Sequence, residues 1–443
     1  MTVAGLRLAV GLVACASLVS TVAREGDGSA FHSSLQRGAP TETLLHQFLG
    51  APDGAFPYAG VTVDAHGAVY GTTFSGGTGN CNLYSGTGCG TVFKLTPKKS
   101  GGYSENVIYS FQGGNDGSYP FSGVIIDSGG ALFGTTYRGG GSLQFGTVYK
   151  LTPKNHGYVE SIIYSFETSG GDVGALPYAG LVAGKHGELY GTSISGGAHG
   201  QGAVYKLTRT RNGYVASLLH SFLSDGQHSV EGVEPYGPLL IDAYGSLYGT
   251  TYASAGGGNC FESGCGTAFR LSPTASGKAY TESILYDFHS SSSGAYPMAG
   301  LALAPDGSLI GTTSEGGATY GGVVFDVVPF TSAADSGGYA EIPLHQFGTV
   351  TGDGQNPQGG VVFDTSGAMY GTTVEGGSNG AGTIYKLTPS AGGGYAYAVL
   401  LNFGYSNGEG PTDTLTIDGT GALYGTTGRG GCCGDGVVFK LTQ

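Results

Sequence analysis

The chain of 443 residues contains no tryptophan, only three methionines and few charged side chains, which make up 11% of the residues. Its 18 Lys and Arg against 31 Asp and Glu give a net charge of −13, and no run of basic residues occurs. Nucleic acids and anionic lipids are bound through clustered basic residues, so the sequence argues against both as partners. Partners are expected to be neutral or cationic.

Apolar runs long enough to span a bilayer are also missing. The one extended apolar stretch, residues 8–19, is too short to cross a membrane and follows a single Arg near the N-terminus. We predict a signal peptide over residues 1–23, a polar linker over residues 24–41, and a protein that is secreted, periplasmic or at the cell surface, with no transmembrane segment. An alternative is that Cys15 belongs to a bacterial lipoprotein signal and carries a lipid anchor.

What the chain has in abundance is glycine, 88 residues, placed at recurring positions of a repeat. A YGTT-like segment recurs seven times at intervals of about 60 residues, beginning at Tyr70, Phe133, Tyr190, Tyr248, Ile310, Tyr370 and Tyr424. Each unit holds four short apolar runs separated by Gly, Pro and Asp clusters, and no stretch shows convincing helical periodicity. This pattern predicts an all-β protein: one seven-bladed β-propeller of four-stranded antiparallel blades over residues 42–443.

The two ends of the chain predict how the ring closes. A lone LLHQF run, residues 44–48, precedes the first unit, and the seventh unit ends after its third run, residues 436–442. Since unpaired strand edges are costly, we expect the N-terminal strand to complete the seventh blade in a 3+1 closure.

The pattern P-x-A-G-L-x-x-D-x-x-G-x-L-Y-G-T-T-x-x-G-G, followed by G-T-V-F-K-L-T-P and L-Y-S-F, resembles the Gloeobacter/Verrucomicrobia (GloVer) tandem repeat of secreted bacterial proteins. Its core is also similar to propellers of the NHL class. The resemblance implies export and a propeller-like body, and it implies no particular activity. Gly184 and Ala304 depart from the pattern, because other units carry an acid at that position.

Six cysteines lie in the loops that follow YGTT. They form three close pairs: Cys81 with Cys89, Cys260 with Cys265, and Cys432 with Cys433. In an exported protein, the first two pairs are predicted to be local disulfides. Adjacent Cys432 and Cys433 could form only a strained bridge, so a disulfide and two thiols remain alternatives. Because the pairs belong to blades 1, 4 and 7, no metal site is predicted, and no cofactor is expected.

Functional residues are expected where the repeats differ. The Gly-Gly loops after YGTT and the long Pro-containing crossovers should emerge on one face, which we call the Gly-Gly face. Glu315 and Glu375 hold equivalent positions on neighbouring blades, as paired carboxylates for glycoside cleavage would require, and His199 or His228 could act as a base. The candidate binding residues on this face are Tyr84, Arg138, Glu231, Phe261 and Arg429.

Two functions are compatible with this pattern. The favoured hypothesis is a noncatalytic, monomeric binding or scaffold propeller that engages a glycan or a surface protein on the Gly-Gly face. The alternative is a carbohydrate-active hydrolase or lyase with its site at the central entrance of that face. Without tryptophan, any sugar-stacking surface has to use Tyr and Phe.

Overall fold

The computed structural model describes residues 38–82, 87–155, 157–167, 173–223, 232–254, 260, 264–275, 279–289, 293–329 and 338–443. The predicted signal peptide, Cys15 and most of the predicted linker lie outside the described residues. Within them, no helix is long and apolar enough to cross a membrane.

Seven four-stranded antiparallel sheets form a β-propeller, as predicted. The first, innermost strands are Thr62–Val63, Ile125–Ile126, Val182–Ala183, Leu240–Ile241, Ala302–Leu303, Val362–Phe363 and Thr416–Ile417. The second strands, which carry YGTT, are Val69–Thr73, Leu132–Thr136, Leu189–Ser193, Leu247–Thr251, Leu309–Thr313, Met369–Thr373 and Leu423–Thr427. The third strands are Thr91–Pro97, Thr147–Lys154, Ala203–Thr210, Thr267–Pro273, Val323–Pro329, Thr383–Pro389 and Val437–Thr442.

The fourth, outermost strands of blades 1 to 6 are Tyr103–Ser110, Gly157–Ser165, Gly213–Ser221, Tyr280–Asp287, Tyr339–Gln346 and Tyr395–Asn402. Three crossovers form additional two-residue pairs with the following Gly-Gly loops: Gly232–Val233 with Ala253–Ser254, Gly294–Ala295 with Glu315–Gly316, and Gly354–Gln355 with Glu375–Gly376. One short 3₁₀ helix, Gly114–Asp116, lies in the first crossover. Crossovers and Gly-Gly loops therefore share one face of the ring.

The N-terminal strand completes the seventh blade, which confirms the predicted closure. Strand Thr41–Gln47 pairs antiparallel with Val437–Thr442, and Thr41 lies opposite Thr442. The following residue, Phe48, is 1% exposed, and its backbone N–H donates to the Gly436 carbonyl at 3.0 Å. Thr41 and Thr442, which are 401 positions apart in the sequence (442 − 41), thus lie in one sheet.

The glycine and the first threonine of YGTT recur for two different structural reasons. A Cβ on Gly71 would lie 2.5 Å from Cζ of Phe93 on the neighbouring third strand, so only glycine leaves room for that ring. The threonine hydroxyl donates to a backbone carbonyl of the next blade. These bonds close a ring of seven: Thr72 to Ser122 (2.9 Å), Thr135 to Ala179 (3.2 Å), Thr192 to Gly237 (3.2 Å), Thr250 to Ala299 (2.6 Å), Thr312 to Gly359 (2.9 Å), Thr372 to Asp413 (3.2 Å) and Thr426 to Ala59 (2.8 Å).

The apolar core lies between the blades. The phenylalanine that follows each fourth strand is buried, and its ring packs against the third-strand ring of the next blade. The seven pairs are Phe48 with Phe93, Phe111 with Tyr149, Phe166 with Tyr205, Phe222 with Phe269, Phe288 with Phe325, Phe347 with Tyr385 and Phe403 with Phe439, with centroids 5.0 to 5.3 Å apart. Repeated aromatic residues are therefore packing residues.

On the face opposite the Gly-Gly face, the repeated aspartates form turns, as expected. Asp64 accepts hydrogen bonds from the backbone N–H groups of His66 and Ala68. Its second oxygen accepts from the Tyr70 hydroxyl at 3.1 Å. Nζ of Lys94 lies 5.0 Å from the centroid of the Tyr70 ring, so the repeated lysine covers the repeated tyrosine instead of forming a separate site.

Candidate binding site in the central channel

The first strands of all seven blades surround a central channel of about 730 Å³. Each blade's inner segment starts on the Gly-Gly face, at the residue before the fixed proline, and ends at the aspartate turn on the opposite face. Residues 56–64 illustrate this path in blade 1, where Tyr58, Gly60, Val61 and Thr62 all line the channel. The channel mouth on the Gly-Gly face is therefore built from the residues around the fixed prolines.

The residue before each fixed proline adopts a left-handed backbone conformation. The residues are Phe56, Tyr119, Leu176, Glu234, Tyr296 and Asn356, with φ from 57 to 59°, and Gly410, with φ of 62°. In blade 2, Tyr119 N–H donates to the carbonyl of Cys89, while its own carbonyl accepts from Tyr137 N–H at 3.1 Å. Non-glycine residues avoid this region unless their surroundings hold them there, and such residues cluster at functional sites.

Seven rings follow one another from blade 1 to blade 5, and we call them the aromatic arc. They are Phe56, Tyr58, Phe121, Tyr178, Tyr236, Tyr252 and Tyr296. The first five line the channel, and the last two belong to the packing between blades 4 and 5. Successive centroids lie 6.2, 6.0, 4.5, 4.9, 5.2 and 5.0 Å apart. After the fixed proline, blades 1 to 4 carry Tyr or Phe, whereas blades 5 to 7 carry Met298, Gln358 and Thr412. The mouth is therefore aromatic on one side and more polar on the other.

Carboxylates accompany the arc on blades 4 and 5. Partial burial raises the pKa of Glu234. Burial, together with the charge of Glu234 and neighbouring tyrosines, raises the pKa of Tyr236 to about 12. Burial and the nearby charges of Glu315 and Glu234 also raise the pKa of Tyr252. Glu234 and Glu315 thus both lie near Tyr252, on adjacent blades.

A single charged side chain, Asp413, lies in the channel wall among the residues that the structure describes. Its Oδ2 accepts from Gly60 N–H at 2.6 Å, and its Oδ1 accepts from Thr414 N–H at 2.6 Å. Removal of the carboxyl group from bulk water raises its pKa, and the two backbone N–H groups partly oppose that shift. Its charge also contributes to the raised pKa of Tyr178, behind burial and Tyr236. Asp413 therefore lines the same channel as the arc, and its carboxylate is hydrogen-bonded to the inner segment that carries Tyr58.

Three of the four predicted catalytic residues are among the described residues, and none of the three lines the channel. Glu315 and Glu375 are exposed and occupy equivalent short strands on the Gly-Gly face. His199 is exposed and lies beside His220, whose pKa is lowered to about 4 by burial and by the charge of His199. These contacts place His199 by a blade junction, and it does not line the channel. His228 lies outside the described residues.

Two predicted binding residues lie on the Gly-Gly face. The guanidinium carbon of Arg138 lies 5.1 Å from the centroid of the Tyr137 ring. Arg429 is exposed, and its charge lowers the pKa of Tyr58, although burial outweighs this effect. Tyr84, Glu231 and Phe261 lie outside the described residues. The roles of all these residues remain predictions.

The two predicted local disulfides are present. Cys81 joins Cys89 and Cys260 joins Cys265, with Cα atoms 5.0 and 5.4 Å apart. Cys432 and Cys433 are exposed, and their sulfur atoms are 3.3 Å apart, beyond the length of about 2.05 Å of a disulfide bond. Of the two alternatives for this pair, the structure contains the dithiol.

One group of described residues, His46, Asp53 and Glu105, brings three possible metal ligands within 4.8 Å of one another. His46 Nε2 lies 3.1 Å from Asp53 Oδ2. Equivalent pairs elsewhere are Tyr109 bonded to Asp116 and His345 beside Asp353. The contact between His46 and Asp53 is therefore one version of a repeated contact between an outer strand and the crossover that follows it, and it provides no separate evidence for a metal.

Sequence reasoning did not identify Asp413 or the aromatic arc, although a signal for both was present. Two residues after the fixed proline, the other blades carry Ala59, Ser122, Ala179, Gly237, Ala299 and Gly359. An acid occurs there only in blade 7. A position-by-position comparison of the repeats would have shown this exception, but only the fold shows that the position faces the channel.

Comparison with protein families places the chain. A family model described as the Gloeobacter/Verrucomicrobia repeat matches residues 15–261, 144–336 and 235–443. The chain belongs to this family. No curated protein matched the sequence.

Solved structures with a similar fold include three bacterial propellers. A proposed 6-phosphogluconolactonase of Bacteroides uniformis is 12% identical with a TM-score of 0.46, covering 77% of this chain and 83% of its own. PorZ, a surface component of the type-IX secretion system of Porphyromonas gingivalis, is 14% identical with a TM-score of 0.49; the match covers 89% of this chain and 47% of PorZ. A proposed glucose dehydrogenase of Thermus thermophilus is 13% identical with a TM-score of 0.41, covering 91% of this chain and 100% of its own. At these values the likenesses carry no functional argument.

Proposed function

We propose that this Gloeobacter/Verrucomicrobia repeat protein is a secreted or cell-surface binding propeller that takes a glycan at the channel mouth on its Gly-Gly face. The observation that carries this proposal is the aromatic arc, because five of its seven rings line a channel of about 730 Å³. Sugar rings pack their C–H faces on aromatic side chains, and tyrosines add hydroxyl groups for hydrogen bonding.

Export is supported by the predicted signal peptide and by the disulfides Cys81–Cys89 and Cys260–Cys265, which persist in oxidising compartments. The stacking arrangement of the arc suits a ligand that lies across several blades. Tyr178 is central to it, because its ring lies 4.5 Å from Phe121 and 4.9 Å from Tyr236.

The proposal is tested by measuring the retention of the protein on a panel of immobilised polysaccharides. Tyr178→Ala is expected to weaken binding about tenfold or more, because it truncates a central aromatic contact worth about 1.4 kcal/mol or more. Tyr244→Ala is the matched control, since Tyr244 is 88% exposed in a turn on the opposite face. Retention of no polysaccharide would contradict glycan binding and favour a protein partner. Equal retention of Tyr178→Ala and the parent would contradict binding at the aromatic arc.

A second function is a carbohydrate hydrolase or lyase at the same entrance, supported by the two carboxylates, Glu234 and Glu315, that lie near Tyr252. The same panel is therefore assayed for new reducing ends and unsaturated products. Turnover that is abolished by Glu315→Gln, Glu375→Gln or Glu234→Gln would establish the enzyme, whereas retention without products supports a noncatalytic role.

A further inference from the structure

The channel wall combines many apolar groups with one carboxylate. Among the channel-lining residues described, Asp413 alone carries a charge, and the rest are aliphatic, aromatic, glycine or uncharged polar residues. The equivalent position in the other six blades carries Ala, Ser or Gly. Packing of the inner segment therefore requires no acid at this position.

Hydrogen bonds hold the carboxylate of Asp413 in place, but no opposite charge among the described channel-lining residues neutralises it. Its two oxygens accept hydrogen bonds from Gly60 N–H and Thr414 N–H, and a hydrogen bond from the Thr414 side chain also favours the charged form. The backbone carbonyl of Asp413 accepts from the Thr372 hydroxyl. These contacts hold the side chain at the wall, but they supply no opposite charge. A carboxylate held away from bulk water is unfavourable unless a cation or several donors accompany it.

We propose that the channel binds the ammonium group of an amino sugar, with Asp413 as its counter-ion and the aromatic arc as the packing surface for the sugar ring. This inference rests on the proposed function and specifies the ligand class of the same site.

Two further features favour a cation over a neutral sugar. Aromatic faces attract cations, and Tyr58, Phe121, Tyr178 and Tyr236 all line the same cavity as Asp413. Glu234 and Glu315 lie at the mouth beside Tyr252, and the chain as a whole carries a net charge of −13. Arg429 acts on Tyr58 from outside the channel, and the channel lining itself holds no basic side chain among the residues that the structure describes.

The test compares two oligosaccharides that differ only in charge: glucosamine oligomers with free amines and the same oligomers fully N-acetylated. Binding to the full-length protein is measured by calorimetry at about pH 6, where the free amines are protonated. We expect the wild type to bind the amine form about ten- to hundredfold more tightly, the effect of one charge-assisted hydrogen bond. Asp413→Asn is expected to remove this preference while the weaker binding of the acetylated form persists.

Two controls keep the result interpretable. Glu167→Gln removes an exposed carboxylate outside the channel and should retain the preference, which excludes a general effect of net charge. The wild-type preference should also decrease as the pH is lowered, because protonation of Asp413 removes the counter-ion. Since the pKa of Asp413 is raised, this decrease should begin above the usual range of an aspartate.

Equal binding of the two oligomers by the wild type would overturn the ammonium inference and leave glycan binding in place. An amine preference that is unchanged in Asp413→Asn would also overturn it, because the charge would then be recognised elsewhere. If the protein binds neither oligomer but is retained on another polysaccharide of the panel, the amino-sugar inference is rejected and glycan binding stands. If the protein is retained on no polysaccharide of the panel, the proposed function itself is rejected.

Discussion

At the scale of single residues, the first threonine of each GTT segment joins its blade to the next one. Its side chain is buried, and its hydroxyl donates to a carbonyl of the next inner segment, where most of the channel-lining residues are found. The same hydrogen bond from Thr372 positions the backbone of Asp413. A residue that looks like a repeated strand former is thus also a support for the channel wall.

We predict that Thr312→Val destabilises the protein by about 1–3 kcal/mol, because the valine leaves the buried Gly359 carbonyl without this donor while preserving side-chain shape. The measurement is the free energy of unfolding in urea. Thr388→Val is the control, since Thr388 is exposed on a third strand, and its change should stay within about 0.5 kcal/mol. Equal effects of the two substitutions would contradict a structural role for the inter-blade hydrogen bond.

At the scale of strands, the closing strand is equivalent to the other six outermost strands. Phe48, which follows it, packs on Phe93 with centroids 5.2 Å apart, and the internal pair Phe222 and Phe269 has the same separation. Both phenylalanines are buried. The closure therefore reproduces the interface found between consecutive blades.

We predict that Phe48→Ala and Phe222→Ala reduce the free energy of unfolding by similar amounts, about 3–5 kcal/mol each, the usual cost of emptying a buried phenylalanine site. Leu49→Ala, at the neighbouring residue with 61% exposure, should have little effect. Urea denaturation of the three variants tests this. If Phe48→Ala were as silent as Leu49→Ala, the N-terminal strand would not be part of the cooperative structure.

At the scale of the whole molecule, the fold could be predicted because the same apolar runs, turns and glycines occur seven times. The closure could be predicted because a repeat that ends early needs a partner strand. For the candidate site, the sequence predicted only that it lies on the Gly-Gly face. Asp413, Tyr178 and Glu234 belong to different blades, and their proximity depends on the curvature of the ring, which no single repeat encodes. Exposed Glu315 and Glu375 were conspicuous by residue type, whereas Asp413 was hidden in a turn-like PTDT segment.

Glutamates that are partly buried at the outer junctions between blades make the stability of the protein depend on pH. Burial raises the pKa of Glu160 to about 7, with a further contribution from Asp116, and burial raises the pKa of Glu341 to about 7. In an unfolded chain the pKa of a glutamate is about 4.3. Between about pH 4.3 and about pH 7 the folded state therefore binds more protons than the unfolded state, so the free energy of unfolding must fall as the pH rises.

We therefore predict that the thermal midpoint is higher at about pH 5 than at about pH 8, and that Glu160→Gln combined with Glu341→Gln removes most of this difference. Below about pH 4 the trend reverses, because hydrogen bonds lower the pKa of turn residues such as Asp242 and Asp364, and protonation then costs stability. Calorimetry from about pH 3 to about pH 8 measures the profile, and Glu375→Gln, an exposed carboxylate outside the junctions, should leave it unchanged. If the thermal midpoint of the parent protein rises steadily from about pH 5 to about pH 8, ionisation of the junction glutamates does not destabilise the fold, and the prediction is wrong. If the midpoint of the double variant depends on pH as strongly as that of the parent, the pH dependence belongs to other groups.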